Sequence, residues 1–197
     1  MKVEDRRVRR TRKTLHDALI SLVLEGNYDA ITIQQIVDRA NVGRSTFYTH
    51  FQSKDELLVS ETEHLRSTLA SVQQREKISA RPRESILGFS RAMFEHADGY
   101  RNVYRALLNT QAWPIVRQRI HNILAELIRK ECKSEIAKIR GANSDVPIEL
   151  FVHFLAASFM TVLTWWLERN SRLSAQQINE VFRSLVLPSV DATLSGR

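Results

Sequence analysis

Apolar residues recur at helical spacing through most of the 197-residue chain, and their grouping predicts a succession of amphipathic helices. Leu15, Ala18, Leu19, Leu22 and Val23 form one stripe, which predicts a first helix from about Arg6 to Glu25 with Gly26 as its stop. Tyr28 and Ile31 follow as apolar anchors. Ile33, Ile36, Val37 and Ala40 then give a short second helix one apolar face. Thr32 before it and Gln35 three residues on make a capping box, and Asn41 after it tolerates the left-handed conformation that ends many helices. Val42 is an apolar plug in the turn. Gly43 can cap a third helix, Arg44–Phe51, whose Phe47 and Phe51 lie four apart and face the core. Ser53 with Glu56 opens the next helix, which the apolar positions Leu57, Leu58, Leu65, Leu69 and Val72 carry to about residue 76.

The third helix carries the candidate chemistry. With its two phenylalanines inward, Arg44, Ser45, Thr46, Tyr48, Thr49 and His50 remain on its other faces, and none is acidic. Helix, tight turn and helix is the layout of a DNA-reading helix-turn-helix. Base edges and phosphates in a major groove accept hydrogen bonds from side chains of this kind. The competing reading is an ordinary solvated helix with two core aromatics. Caps, turn, polar face and a following Lys54 agree on the functional one.

The stretch resembles the DNA-binding domain of the TetR (tetracycline-repressor-like) family of bacterial transcription regulators. The resemblance rests on Thr32, Ile36, Ala40, Val42, Ser45–Thr46–Phe47–Tyr48, His50–Phe51, Lys54 and Leu57–Leu58. It spans residue 8 to about 60. Two positions depart from the family pattern: Asn41 stands where Gly is common, and Gly43 where Ser or Thr is common, so Gly43 offers a phosphate no hydroxyl. The resemblance and the helical pattern together imply an all-α protein. A three-helix DNA-binding domain with a basic N-terminal arm occupies residues 1–58, and a larger helical regulatory and dimerisation domain occupies 59–197. The expected DNA contacts are Arg10, Thr32, Arg44, Ser45, Thr46, Tyr48, Thr49, His50 and Lys54.

Charge sharpens this. Residues 1–13 hold seven Lys or Arg against Glu4 and Asp5, while the stretch 1–60 as a whole totals only +2. The basic excess therefore sits at the entrance to the helix-turn-helix. We expect phosphate contact near Arg9–Arg12, which makes binding fall with salt, and disorder over residues 1–5. The formal net charge of +7 allows a nucleic acid or an anionic membrane as partner.

Beyond a break at 77–82 the pattern predicts helices at 82–97, at Tyr100–Leu108 and from Trp113–Pro114 to about Arg140, then a loop at 141–145. Leu150–Leu167 holds no charge and is long enough to span a bilayer. It is a single such segment among amphipathic helices, so we read it as a soluble helix covered on one side by its own domain and on the other by a second subunit. Ser174 and Gln177 cap a final helix that Pro188 should kink or end. These last two helices resemble the four-helix dimer interface of TetR-type regulators. That implies a homodimer through Phe151, Leu155, Phe159, Val162, Trp166, Ile178, Phe182 and Leu185, and a near-palindromic operator. The resemblance also implies a small-molecule effector pocket in the C-terminal domain. Met93, Phe94, Tyr100, Tyr104, Trp113, Phe154 and Phe159 are its candidate lining, with core packing as the alternative for each.

Other classes find less support. Cys132 is the one cysteine, which excludes an internal disulfide and fits a cytoplasmic protein with this thiol packed inside. His96, His121 and His153 are dispersed, so no metal site is expected, and no cofactor. No phosphate loop, nucleophile elbow or paired catalytic carboxylates stand in the sequence, so no enzyme is expected. The expected function is a dimeric, sequence-specific DNA-binding regulator, a repressor released by a small molecule. The alternative is a member of the same family that activates, or that acts through another protein without reading an operator.

Overall fold

A computed structural model describes residues 6–60, 62–79, 85–138, 146–169 and 171–195. The described residues contain helices and turns and no strand. The helices are α1 (Arg6–Glu25), a 3-10 turn (Tyr28–Ala30), α2 (Ile33–Ala40), α3 (Arg44–His50), α4 (Lys54–Val59), α5 (Thr62–Ser79), α6 (Phe89–Gly99), α7 (Arg101–Leu107), α8 (Ala112–Lys138), α9 (Ile148–Glu168) and α10 (Ala175–Ser195). Residues 1–5 of the expected arm, the loop at 141–145 and residues 80–82 of the break lie outside the described residues, while 77–79 close α5.

The chain divides into two compact units. One joins Met1–Glu63 to Asn102–Val116, and the other joins His64–Arg101 to Arg117–Arg197. Residues 102–116 thus pack with the helix-turn-helix.

In the first unit, Leu15, Leu19 and Val23 of α1 are buried with Ile36 and Val37 of α2, Phe47 of α3, and Leu57 and Leu58 of α4. Tyr104 and Leu107 of α7 are buried in the same unit. Two charge pairs and one backbone-to-carboxylate bond hold the exterior. The Arg39 guanidinium donates to both Glu25 oxygens at 2.6 and 2.7 Å, and it also donates to the Ser21 hydroxyl, clamping α2 to α1. Those bonds from Arg39 and Ser21 hold the exposed Glu25 carboxyl down at about 2. Lys13 pairs with Asp17 one turn along α1. The third link runs from the α7–α8 junction: the Gln111 N–H donates to Asp29 Oδ1 at 3.1 Å.

The helix expected from Lys54 to about 76 is interrupted instead. α4 ends at Val59, Ser60 forms a turn whose hydroxyl and N–H both donate to the Leu57 carbonyl, and α5 begins at Thr62. Pro188 lies inside α10, which runs on to Ser195 rather than ending there. Pro188 is exposed, so the hydrogen bond it removes leaves a carbonyl that water reaches.

The second unit is built around an aromatic cluster. Phe94 lies against Phe159 (4.5 Å between ring centroids), Trp166 (5.7 Å) and Phe182 (6.1 Å), while Phe89 and Phe182 also meet Phe159. The Trp166 indole donates to the Leu173 carbonyl at 2.9 Å, which ties the α9–α10 connection. The Arg101 guanidinium, held by Asp98, covers the Trp166 ring at 3.9 Å. One polar pair crosses this core: the Ser90 hydroxyl bonds Asn179 at 2.6 Å. Cys132 is buried, and burial with the nearby Glu131 pushes its thiol up to about 12, which suits a packed residue rather than a nucleophile.

Among the described residues α9 is the one helix long and apolar enough to cross a membrane. Phe151, Val152, Leu155, Ala156, Phe159, Met160, Leu163, Trp166 and Leu167 of α9 are buried within the unit, which is the pattern of a core helix. Most of the residues expected at a dimer face lie inside the protomer. Phe151, Leu155, Phe159, Trp166, Ile178 and Phe182 belong to the protomer's own core, and Val162 is half-buried; only Leu185 is exposed, at 64%. Beyond Ile148 at its start, the large apolar residues left outside are Leu150, Phe154 and Trp165 on α9, with Val181 and Leu185 on α10. Their spacing places each set on one side of its helix.

Candidate nucleic-acid interface

The reading head is assembled by local chemistry. At the start of α2 the Gln35 N–H donates to Thr32 Oγ1 at 3.2 Å, and the Thr32 N–H donates back to Gln35 Oε1 at 2.8 Å. α2 ends at Asn41 in the left-handed conformation (φ 52, ψ 48), and the Val42 N–H returns to the Val37 carbonyl at 3.0 Å. This reverses the chain within one turn and delivers Gly43 to the N-cap of α3. Gly43 makes no side-chain cap bond, and a Cβ there would meet Ser45 and Thr46 oxygens at ordinary van der Waals distance. The position takes Ser or Thr sterically, so its glycine is not a backbone requirement.

α3 is anchored by Phe47, fully buried, and by Phe51 just after its end, whose ring lies 4.8 Å from the Arg12 guanidinium. The anchors turn Arg44, Ser45, Tyr48 and Thr49 outward, all exposed, with Thr46 and His50 half-exposed. Tyr48 meets Phe47 edge to face at 5.4 Å, so its ring is steadied from beneath. The Thr49 hydroxyl donates to the Ser45 carbonyl at 3.0 Å. The His50 ring packs toward Phe51. Arg10 is exposed on the first turns of α1. Thr32 is exposed, but its hydroxyl is engaged in the cap, both accepting from the Gln35 N–H and donating to Gln35 Oε1.

Lys54, an expected DNA contact, turns its side chain toward the protein. Its ammonium donates to three carbonyls, Tyr28 at 2.9 Å, Asp29 at 3.2 Å and Ile31 at 2.9 Å, and lies 4.5 Å from the Tyr28 ring centroid. An ammonium has three donors, and all are occupied within the protein. Beside it the Tyr28 hydroxyl donates to Asp55, and burial followed by that bond pushes the phenol well above its ordinary value. Lys54 therefore ties the start of α4 to the turn before α2, fixing both ends of the helix-turn-helix. A phosphate contact adds about 0.9 to the slope of log affinity against log salt. Lys54→Met is expected to lower the melting temperature and weaken DNA binding while leaving that slope unchanged. A slope reduced by about 0.9 would restore the phosphate role.

The seven candidate effector-pocket residues do not share one environment. Met93, Phe94 and Phe159 are fully buried in the aromatic cluster, whereas Tyr100 and Phe154 are 51% and 45% exposed. Tyr104 and Trp113 belong to the first unit. Sequence reasoning also missed a pair in the second unit. His121 and His153, 32 residues apart, meet ring nitrogen to ring nitrogen at 3.1 Å with their rings nearly parallel at 12°. Burial, then His153 and Arg117, holds His121 below its ordinary value. No group of three His, Cys, Asp or Glu among the described residues could hold a metal ion.

The geometry defines a helix-turn-helix DNA-binding protein with a separate helical unit. A family model described as bacterial regulatory proteins of the tetR family matches residues 15–60, and one described as a transcriptional regulator C-terminal region matches residues 84–187. The chain belongs to the tetR family and is a DNA-binding transcriptional regulator. The regulator TcmR of Streptomyces glaucescens is 25% identical over 89% of this chain and 82% of its own. A TetR-family regulator from Syntrophomonas wolfei shares the fold with a TM-score of 0.74 at 18% identity, over 95% of this chain and 96% of that one. The Thermus thermophilus repressor FadR, whose structure holds lauroyl-CoA, shares it with a TM-score of 0.66 at 19% identity, over 89% and 93%.

Proposed function

We propose that this regulator is a repressor that binds a near-palindromic operator as a homodimer and is released by a small molecule held in its second unit. The observation that carries DNA reading is the acid-free, outward face of α3 set between a capped turn and a buried Phe47 anchor. The apolar residues exposed along α9 and α10 support self-association, because a soluble chain leaves such a run of Leu, Phe and Trp uncovered at a cost. Two copies related by a two-fold axis present two α3 helices, and the half-site spacing follows from that symmetry. Release by an effector has support from the lauroyl-CoA held by the Thermus relative. Thermodynamically, an effector that binds the DNA-incompetent state more tightly shifts the population away from DNA.

The test is transcription in vitro from the promoter upstream of the protein's own coding sequence. Added protein should shift that duplex in a gel and lower transcript yield. Titration with small molecules, lauroyl-CoA first, should reverse both effects. Rising transcript would establish the activator reading, and a protein that shifts no duplex at any salt concentration would point to action through another protein.

A further inference from the structure

The exposed face of α3 holds a guanidinium in a position to discriminate bases. Arg44 is the first residue of α3, follows the N-cap Gly43, and has no acid beside it in the first turn. One turn on, Tyr48 lies under it: the Arg44 Cζ is 5.8 Å from the Tyr48 ring centroid. Neighbouring cations of this unit are committed elsewhere, Arg39 to Glu25, Lys54 to three carbonyls and Arg12 to the Phe51 ring. Among the described residues no carboxylate or carbonyl is bonded to Arg44, whose side chain lies against the Tyr48 ring. A cation–π contact of this length uses none of the guanidinium N–H donors, which stay available around its edge.

From this geometry we propose that Arg44, steadied by Tyr48, reads a guanine in each half-site through a bidentate bond to its O6 and N7. The N-terminal residues of a recognition helix are the ones that reach base edges. Guanine offers two acceptors side by side in the major groove, matching the donor fork of arginine; adenine offers one acceptor and one donor, and so mismatches it. A phosphate would accept the same fork but would impose no base preference. Tyr48 acts as a positioning residue, since its ring limits where the Arg44 side chain can lie. The inference rests on DNA binding itself and not on the dimer or the effector, because a monomer would select one half-site carrying the same guanine.

Selection of the full-length protein against a random duplex library tests it, with no operator needed in advance. Wild type should select sites sharing a G·C pair, with about 10- to 100-fold preference at that pair. Arg44→Ala should retain the rest of the site and accept all four bases there within about threefold, with an unchanged thermal melt. Tyr48→Phe, which keeps the ring, should preserve the guanine, and Tyr48→Leu should weaken the preference for it. The proposal is overturned if Arg44→Ala still selects that guanine. It is equally overturned if Arg44→Ala weakens every sequence alike with a salt slope lower by about 0.9, the signature of a phosphate contact. Unchanged preference in Tyr48→Leu removes the positioning role of the ring.

Discussion

Phe94→Ala is expected to leave the second unit largely unfolded at moderate temperature while the helix-turn-helix unit keeps its helices. Phe94 has no exposed surface and touches three other aromatic rings, Phe159, Trp166 and Phe182, drawn from α9 and α10. Its removal loses the transfer energy of the ring and leaves a void bounded by side chains that cannot all close in, about 3–5 kcal/mol. Domains have roughly 5–15 kcal/mol in total, so one such change takes a large share. The loss is concentrated because the rings interlock: Phe159 also meets Phe89 and Phe182, and Trp166 is held at Leu173. Thermal unfolding followed by tryptophan fluorescence measures it, since Trp165 and Trp166 lie in α9 and report this unit. A melting temperature within a few degrees of wild type would show that the cluster repacks. Phe94→Leu, which keeps much of the volume, should cost considerably less.

The parts of the molecule legible in the sequence are those set by neighbours along the chain. The Thr32–Gln35 box, the left-handed Asn41 and the N-cap at Gly43 each involve residues within four positions, and each is where the local pattern puts it. The outward set on α3 follows from Phe47 and Phe51 by helical spacing alone. The bonds of Lys54, expected as a DNA contact, were not legible because nothing near it in sequence reveals three carbonyls 23 to 26 residues earlier. The His121–His153 pair escaped for the same reason, being a meeting of two helices rather than a motif. The turn at Ser60 escaped because no Gly or Pro marks it, and the continuation of α10 through Pro188 because exposure makes a missing hydrogen bond tolerable.

The hardest feature to read was which side of α9 faces out. Periodicity assigns a face only when polar residues mark the other one, and residues 150–167 carry apolar side chains nearly all round. The expected outer set was Phe151, Leu155, Phe159 and Trp166, and periodicity alone does not separate it from Leu150, Phe154 and Trp165. Packing against α6 and α10 takes the first set inward, where Phe159 and Trp166 complete the aromatic cluster.

That choice fixes what should happen when the outer set is made charged. If the protein is the proposed dimer, Trp165→Glu combined with Leu185→Glu is expected to leave it a monomer without unfolding it. Both side chains are well exposed in the protomer, 47% and 64%, so the carboxylates stay hydrated in the separated chain. In the proposed dimer they would be withdrawn from water without a partner, which opposes association strongly. Light scattering on a sizing column should give a mass near 22.8 kDa in place of twice that value. Operator affinity should fall with it by about 10²- to 10⁴-fold, because the second half-site is no longer engaged at high effective concentration. Trp166→Glu, one residue along, places its charge in the core and should unfold the unit instead, since Trp166 is fully buried. A double variant that remains dimeric and binds its operator as before would remove α9 and α10 from the interface, whereas one that melts like Trp166→Glu would mean that the outer face also carries the fold.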